Sequence, residues 1–145
     1  MNNVHHPHRF GFLTLAGPPN AGKSTLLNRI IGEKISIISR RPQTTRHRIM
    51  GIKTLPHAQM VFVDTPGIHS DEKKNLNRVI NKTAVSSLSD VDLILFMIDH
   101  HGWTDRIKKT FQHVRHTNTP VVLLINKIDR LKDKGKLLPL MDVCT

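Results

Sequence analysis

The chain is short of sulfur, of rings and of acids, and each shortage removes a class of protein. Its one cysteine, Cys144, has no partner for an internal disulfide, so the sequence reads as an ordinary thiol-bearing chain of a reducing compartment. Aromatic residues make up 4% and tyrosine is absent, which leaves little support for an RNA platform built on stacked bases. Acids number 11 against 22 Lys and Arg, a net charge of +11. That imbalance favours polyanionic partners: a nucleotide, RNA or an acidic membrane surface. The longest apolar runs, 93–98, 10–16 and 121–125, fall far short of the roughly 18 residues that a membrane-spanning helix requires. His5, His6 and His8 are interrupted by Pro7 and read as a flexible N-terminus, residues 1–9, rather than a metal site.

What is present is the alternation of an α/β protein. With 145 residues the prior is one domain, here 10–145. Strand-like runs at 10–16, 48–54, 58–64, 91–98 and 121–126 alternate with helical patterns, the arrangement of a mostly parallel sheet with helices on both faces. Only Leu55, Pro56 and His57 separate the second run from the third, too few for a parallel crossover, so one strand must run antiparallel. Leu26, Leu27, Ile30 and Ile31 share one helical face before Gly32, and Leu76, Val79, Ile80, Ala84 and Leu88 mark a second helix. A third is expected from Thr104, with Ile107, Phe111 and Val114 inward. The stretch 33–47 has no periodicity, and loops of that length tend to be functional.

Three short motifs carry chemistry. Gly17, Pro18, Pro19, Asn20, Ala21, Gly22, Lys23, Ser24 and Thr25 satisfy G-x-x-x-x-G-K-[ST] between a strand and a helix, the context that makes this a phosphate-binding loop. Glycines let backbone N–H groups close around a phosphate, and the helix N-terminus adds a field that favours anions. Lys23 would neutralise the terminal phosphates, and Ser24 would offer its hydroxyl to Mg²⁺. Asp64, Thr65, Pro66 and Gly67 follow another strand; there a carboxylate can hold Mg²⁺ through water while the Gly67 N–H approaches a γ-phosphate. Asn126, Lys127, Ile128 and Asp129 follow the last strand, and Asp129 can accept two hydrogen bonds from the N1–H and amine edge of guanine. At about 1.5–3 kcal/mol for each bond to a charged group, the pair would reject adenine by at least about a hundredfold.

These motifs, together with Lys34, Ile35, Ser36 and Ile37 followed by 40–48 (RRPQTTRHR), resemble the GTPases of the Era type, from about Gly11 to Asp129 and more loosely through Pro139. Pro18 and Ala21 depart from that family's usual Arg and Val. The resemblance implies a P-loop, Ras-like G domain that binds GTP and GDP with Mg²⁺ and hydrolyses GTP, a switch in small ribosomal subunit assembly. It further implies small-subunit rRNA as a partner through a C-terminal KH domain, and a cytoplasmic protein with peripheral association at the inner membrane. By the same resemblance Thr45, ahead of Thr44, closes on Mg²⁺ and the γ-phosphate, making Lys23, Thr45 and Gly67 the candidate catalytic residues. Ile68 stands where Ras-type GTPases carry a water-orienting glutamine, so extra positive charge is expected at the phosphates. Asn20 matches the phosphate-loop asparagine of cation-activated GTPases, which suggests K⁺; Arg46, Arg48 and His69 are weaker candidates.

A complete domain of this type needs one more strand and a final helix, and neither is expected here: 130–145 reads as the start or most of one helix. No G-x-x-G occurs in these residues, so no KH element is expected among them. Such a truncated G domain would expose 121–125 as an apolar sheet edge and be marginally stable or prone to aggregation. Two other readings compete: a non-catalytic remnant with weak or no nucleotide binding, and a different cation-activated GTPase of tRNA modification or ribosome assembly. Pro42 and Gln43 before the paired threonines argue against the latter, whose members usually carry a glycine there.

Overall fold

A computed structural model of the chain describes residues 8–32, 48–64 and 90–142. Thr45, Thr44, Arg46, Thr65, Gly67, Ile68, His69, Cys144 and the helix expected at 76–88 lie outside the described residues.

The order of elements is β1 (Arg9–Ala16), α1 (Lys23–Ile31), β2 (Arg48–Leu55), β3 (Ala58–Asp64), β4 (Leu93–Asp99), α2 (Asp105–Arg115) and β5 (Val121–Asn126). Two short 3₁₀ turns and a four-residue helix, α3 (Leu138–Met141), follow. The five strands form one sheet in the order β2-β3-β1-β4-β5. Strands β1, β3, β4 and β5 run parallel, and β2 pairs antiparallel with β3, as the short connection requires.

Strand parity assigns the two faces of the sheet. Leu13, Leu15 and Phe62 point to one side, where Leu27 of α1 completes a buried cluster flanked by Leu26, Ile30, Ile31, Leu93 and Leu95. The alternate residues Ala16, Val61, Val63, Ile94, Phe96 and Ile98 point to the other, against Phe111 and Val114 of α2. Successive side chains of a strand face opposite ways, so a strand covered on both sides must be apolar almost throughout. The last four residues of β1 are accordingly all buried. The one polar member, Thr14, is fully buried and donates its hydroxyl to the Val63 carbonyl at 3.1 Å, which removes the cost of an unpaired group.

Helix α2 has an ordinary N-terminus. The Thr104 hydroxyl accepts from the Ile107 N–H at 3.3 Å, and Asp105 occupies the first turn, a hydroxyl cap and an acid where the helix dipole favours one. Trp103, just before the cap, packs parallel to Phe96 with ring centres 6.3 Å apart and tilted on Phe111 at 5.0 Å. Its Nε1 donates to the Leu140 carbonyl at 2.7 Å, which ties the end of the described chain to the loop after β4.

Two expectations are corrected. The run at 91–98 forms a strand only from Leu93, because the Asp92 N–H bonds the Phe12 carbonyl while its carboxylate takes the Phe12 N–H at 2.7 Å. The segment after Asp129 is not one helix: the Asp133 carboxylate accepts from the Gly135 N–H at 2.8 Å, a local bond that competes with helix formation. Among the described residues after Asp129, only the single turn of α3 is helical in the α sense. Among the described strands β5 lies at an edge, with Val122 43% exposed.

Candidate functional site

Parallel sheets of this kind bind ligands beyond the carboxyl ends of their strands, where the strand order reverses. Here the ends of β1, β3, β4 and β5 carry Gly17, Asp64, Asp99 and Asn126, so the three motifs meet on one rim of the sheet because of topology alone. The rim opens into a cleft of about 600 Å³ lined by Leu15, Pro19, Asn20, Gly22, Lys23, Ser24, Thr25, Leu27, Met50, Asp64 and Lys127.

The loop between β1 and α1 is shaped by residues that tolerate positive φ. Gly17 sits at φ +131° with its Cα facing the Met97 carbonyl, where a side chain has no room, and Gly22 at φ +108° lies against the Asn126 amide. Asn20 adopts φ +61°, the left-handed conformation that asparagine enters more readily than most residues. Helix α1 then starts at Lys23 with no side-chain cap and no acid in its first turn. Its leading N–H groups have no partner within the helix, which is the arrangement that receives an anion. The Lys23 ammonium lies back over the loop and donates to the carbonyls of Gly17 at 2.9 Å and Pro18 at 2.7 Å.

The loop after β5 closes the other wall. Asn126 Nδ2 donates to the Ala21 carbonyl at 2.8 Å, and Lys127 Nζ donates to the Asn20 carbonyl at 2.5 Å. Residues more than a hundred positions apart are thereby joined into one structure. Asp129 falls in the exposed turn Ile128–Arg130 and does not line the cleft.

Of the site residues read from sequence, Gly17, Asn20, Ala21, Gly22, Lys23, Ser24, Thr25, Asp64, Asn126 and Lys127 gather on this rim. Ser24 and Asp64 both face the cleft and offer a hydroxyl and a carboxylate, the hard oxygen donors that suit Mg²⁺.

Sequence reading missed Asp99, since a single aspartate at a strand end carries no motif. Its Oδ2 accepts from Lys127 Nζ at 3.3 Å and its Oδ1 from the His101 N–H at 3.0 Å. Burial alone would raise its pKa, but the His101 N–H and the Lys127 ammonium outweigh it, so the carboxyl lies below its ordinary value and stays ionised. Asp99, His100 and His101 bring potential metal-ligating atoms within 4.8 Å of one another. Both Asp99 oxygens are already engaged, one by Lys127 Nζ and one by the His101 N–H.

The sequence pattern of the family described as 50S ribosome-binding GTPase matches residues 12–127. The chain belongs to this family. Within it the chain is similar to the Era GTPases: over 129 residues it is 51% identical to GTPase Era of Glaesserella parasuis serovar 5 (strain SH0165), covering 89% of the chain and 43% of that relative. A solved structure of Era in complex with MgGDPNP and nucleotides 1506–1542 of 16S ribosomal RNA superposes with a TM-score of 0.68 at 42% identity, over 93% of this chain and 46% of that one. Aquifex aeolicus Era bound to GDP and AlF4⁻ gives a TM-score of 0.67 at 43% identity, over 92% and 46%. The chain therefore spans less than half the length of these relatives.

Proposed function

We propose that the cleft binds GTP and GDP with Mg²⁺ and that the protein containing this domain hydrolyses GTP, as an Era-like switch in small ribosomal subunit assembly with small-subunit rRNA as partner. The observation that carries the reading is the pair of bonds from Asn126 and Lys127 to the carbonyls of Ala21 and Asn20. They hold the base-side loop against the phosphate-side loop, so one ligand with a phosphate tail and a guanine head can touch both. Support for the rRNA partner is the Era complex with 16S ribosomal RNA and the net charge of +11. The resemblance also supports residues 10–145 as one G domain, in a cytoplasmic protein peripheral at the inner membrane. Among the described residues no helix is long and apolar enough to cross a membrane.

In this reading the amides from Gly17 to Thr25 and the uncapped start of α1 bind the phosphates, and Lys23 leaves its two carbonyls to neutralise the terminal ones. Ser24, Asp64 and Thr45 would hold Mg²⁺, which would supply charge neutralisation at the β- and γ-phosphates. The Gly67 N–H would meet the γ-phosphate, and Asp129, in the exposed turn just after Lys127, would accept from the guanine edge. Asn20 is the candidate K⁺ ligand; turnover faster in potassium than in sodium is the expected result.

The primary test is titration of the chain with fluorescent GDP and ADP in Mg²⁺. Preference for GDP by about a hundredfold or more is expected from two charged hydrogen bonds, and Asp129→Asn should shift preference toward xanthine nucleotides. Equal affinities for GDP and ADP would refute the guanine reading. They would favour the reading of a non-catalytic remnant that binds nucleotide weakly or not at all.

A further inference from the structure

The β4–β5 register sets Asp99 beside Asn126 as direct Cα partners. One residue later the chain turns through Lys127 at φ +57°, and the lysine side chain reaches two acceptors from different elements. One is the Asn20 carbonyl at 2.5 Å and the other is Asp99 Oδ2 at 3.3 Å. We propose that Asp99 is a positioning residue, holding the Lys127 ammonium in place as a strap between the end of β4 and the phosphate loop and so slowing the release of bound guanine nucleotide. The inference rests on the cleft being the guanine-nucleotide site.

Three observations carry it. A lysine side chain has much rotamer freedom to lose, and one contact to the carbonyl of an exposed residue leaves it free to swing into solvent. A second, charged acceptor on the opposite side fixes it before any ligand arrives, which is how preorganisation improves binding. Second, Asp99 is itself held: the His101 N–H bonds its Oδ1 at 3.0 Å and the Gly102 N–H bonds its carbonyl at 2.9 Å. The anchor is therefore stiffer than an isolated surface acid. Third, the pair is partly shielded, with side-chain exposures of 26% for Lys127 and 18% for Asp99, so salt screens it less than a fully exposed pair. An ammonium carries three N–H bonds, and the strap engages two.

The test is a double-mutant cycle on the full chain, reading the release rate of a fluorescent GDP by stopped flow together with the melting temperature. Asp99→Ala should speed release about tenfold, the lower end for losing a hydrogen bond to a charged group. Asp99→Asn, which keeps the shape and removes the charge, should fall between Asp99→Ala and the parent, and carries the test if the alanine variant does not fold. In a Lys127→Ala background the Asp99 substitutions should change release by less than about twofold, because the partner they act through is gone. Unchanged release in Asp99→Asn, or the same acceleration with and without Lys127, would overturn the proposal. Failure of the parent protein to bind guanine nucleotide at all would instead remove the site reading, and this inference with it.

Discussion

The two long helices of the described chain begin in opposite ways. Helix α2 starts behind Thr104, whose hydroxyl takes an N–H of the first turn, and follows with Asp105. Helix α1 starts behind Gly22, with no side-chain acceptor and no acid. Both solve the problem of leading N–H groups that no helix can satisfy internally, but only α2 solves it with its own residues. A threonine cap is worth about 1 kcal/mol, so α1 forgoes stability that the same sequence secures elsewhere. In the proposed reading the difference marks where the fold serves a ligand: the capped helix start packs on the face opposite α1, and the uncapped one opens into the cleft.

The comparison can be broken most severely at Gly17. Gly17→Val places a branched side chain at φ +131° against the Met97 carbonyl; a loss of about 3 kcal/mol in urea unfolding is expected, with loss of nucleotide binding. Making α1 resemble α2 gives a smaller effect of opposite signs. Thr25→Glu adds an acid to the first turn, and should raise the stability of the nucleotide-free chain by about 0.3–1 kcal/mol while lowering GDP affinity about tenfold through repulsion of phosphate. Stability and affinity falling together would show that α1 is not an anion-receiving start. Making α2 resemble α1 is the converse: Thr104→Ala should cost about 1 kcal/mol in thermal unfolding and leave GDP affinity unchanged.

The smallest effect belongs to pH. Because the folded pKa of Asp99 lies below the ordinary value of 3.8, its contribution is fully present above that value and is lost as pH falls through the lower folded one. The stability difference between the parent and Asp99→Asn should therefore be flat from about pH 5 to 8 and shrink only below about pH 4. Shrinkage near neutrality would contradict the assignment.

Much of this architecture was legible before any coordinates. The near-continuous apolar runs within 58–64 and at 93–98 encode two-sided burial, and the three-residue link 55–57 forces the reversed strand. The spacing from Gly17 to Thr25 encodes strand, loop and helix together, since each glycine answers a local backbone demand. What stayed hidden depended on contacts between distant segments. Asp99 gains its role only when register sets it beside Asn126. The end of β4 at its N-terminal side is decided by Asp92 competing for Phe12, and the irregular stretch after Asp129 by Asp133 capturing the Gly135 N–H. In each case a side chain takes a backbone group that periodicity would assign to a strand or helix.

The indole of Trp103 has a practical consequence. With a single tryptophan and no tyrosine in 145 residues, ultraviolet emission excited in the protein arises from one address, wedged between Phe96 and Phe111 and tethered to the Leu140 carbonyl. Its colour and lifetime therefore report whether the 134–142 segment is seated on the loop that follows Asp99, and a chemist following them needs no attached dye.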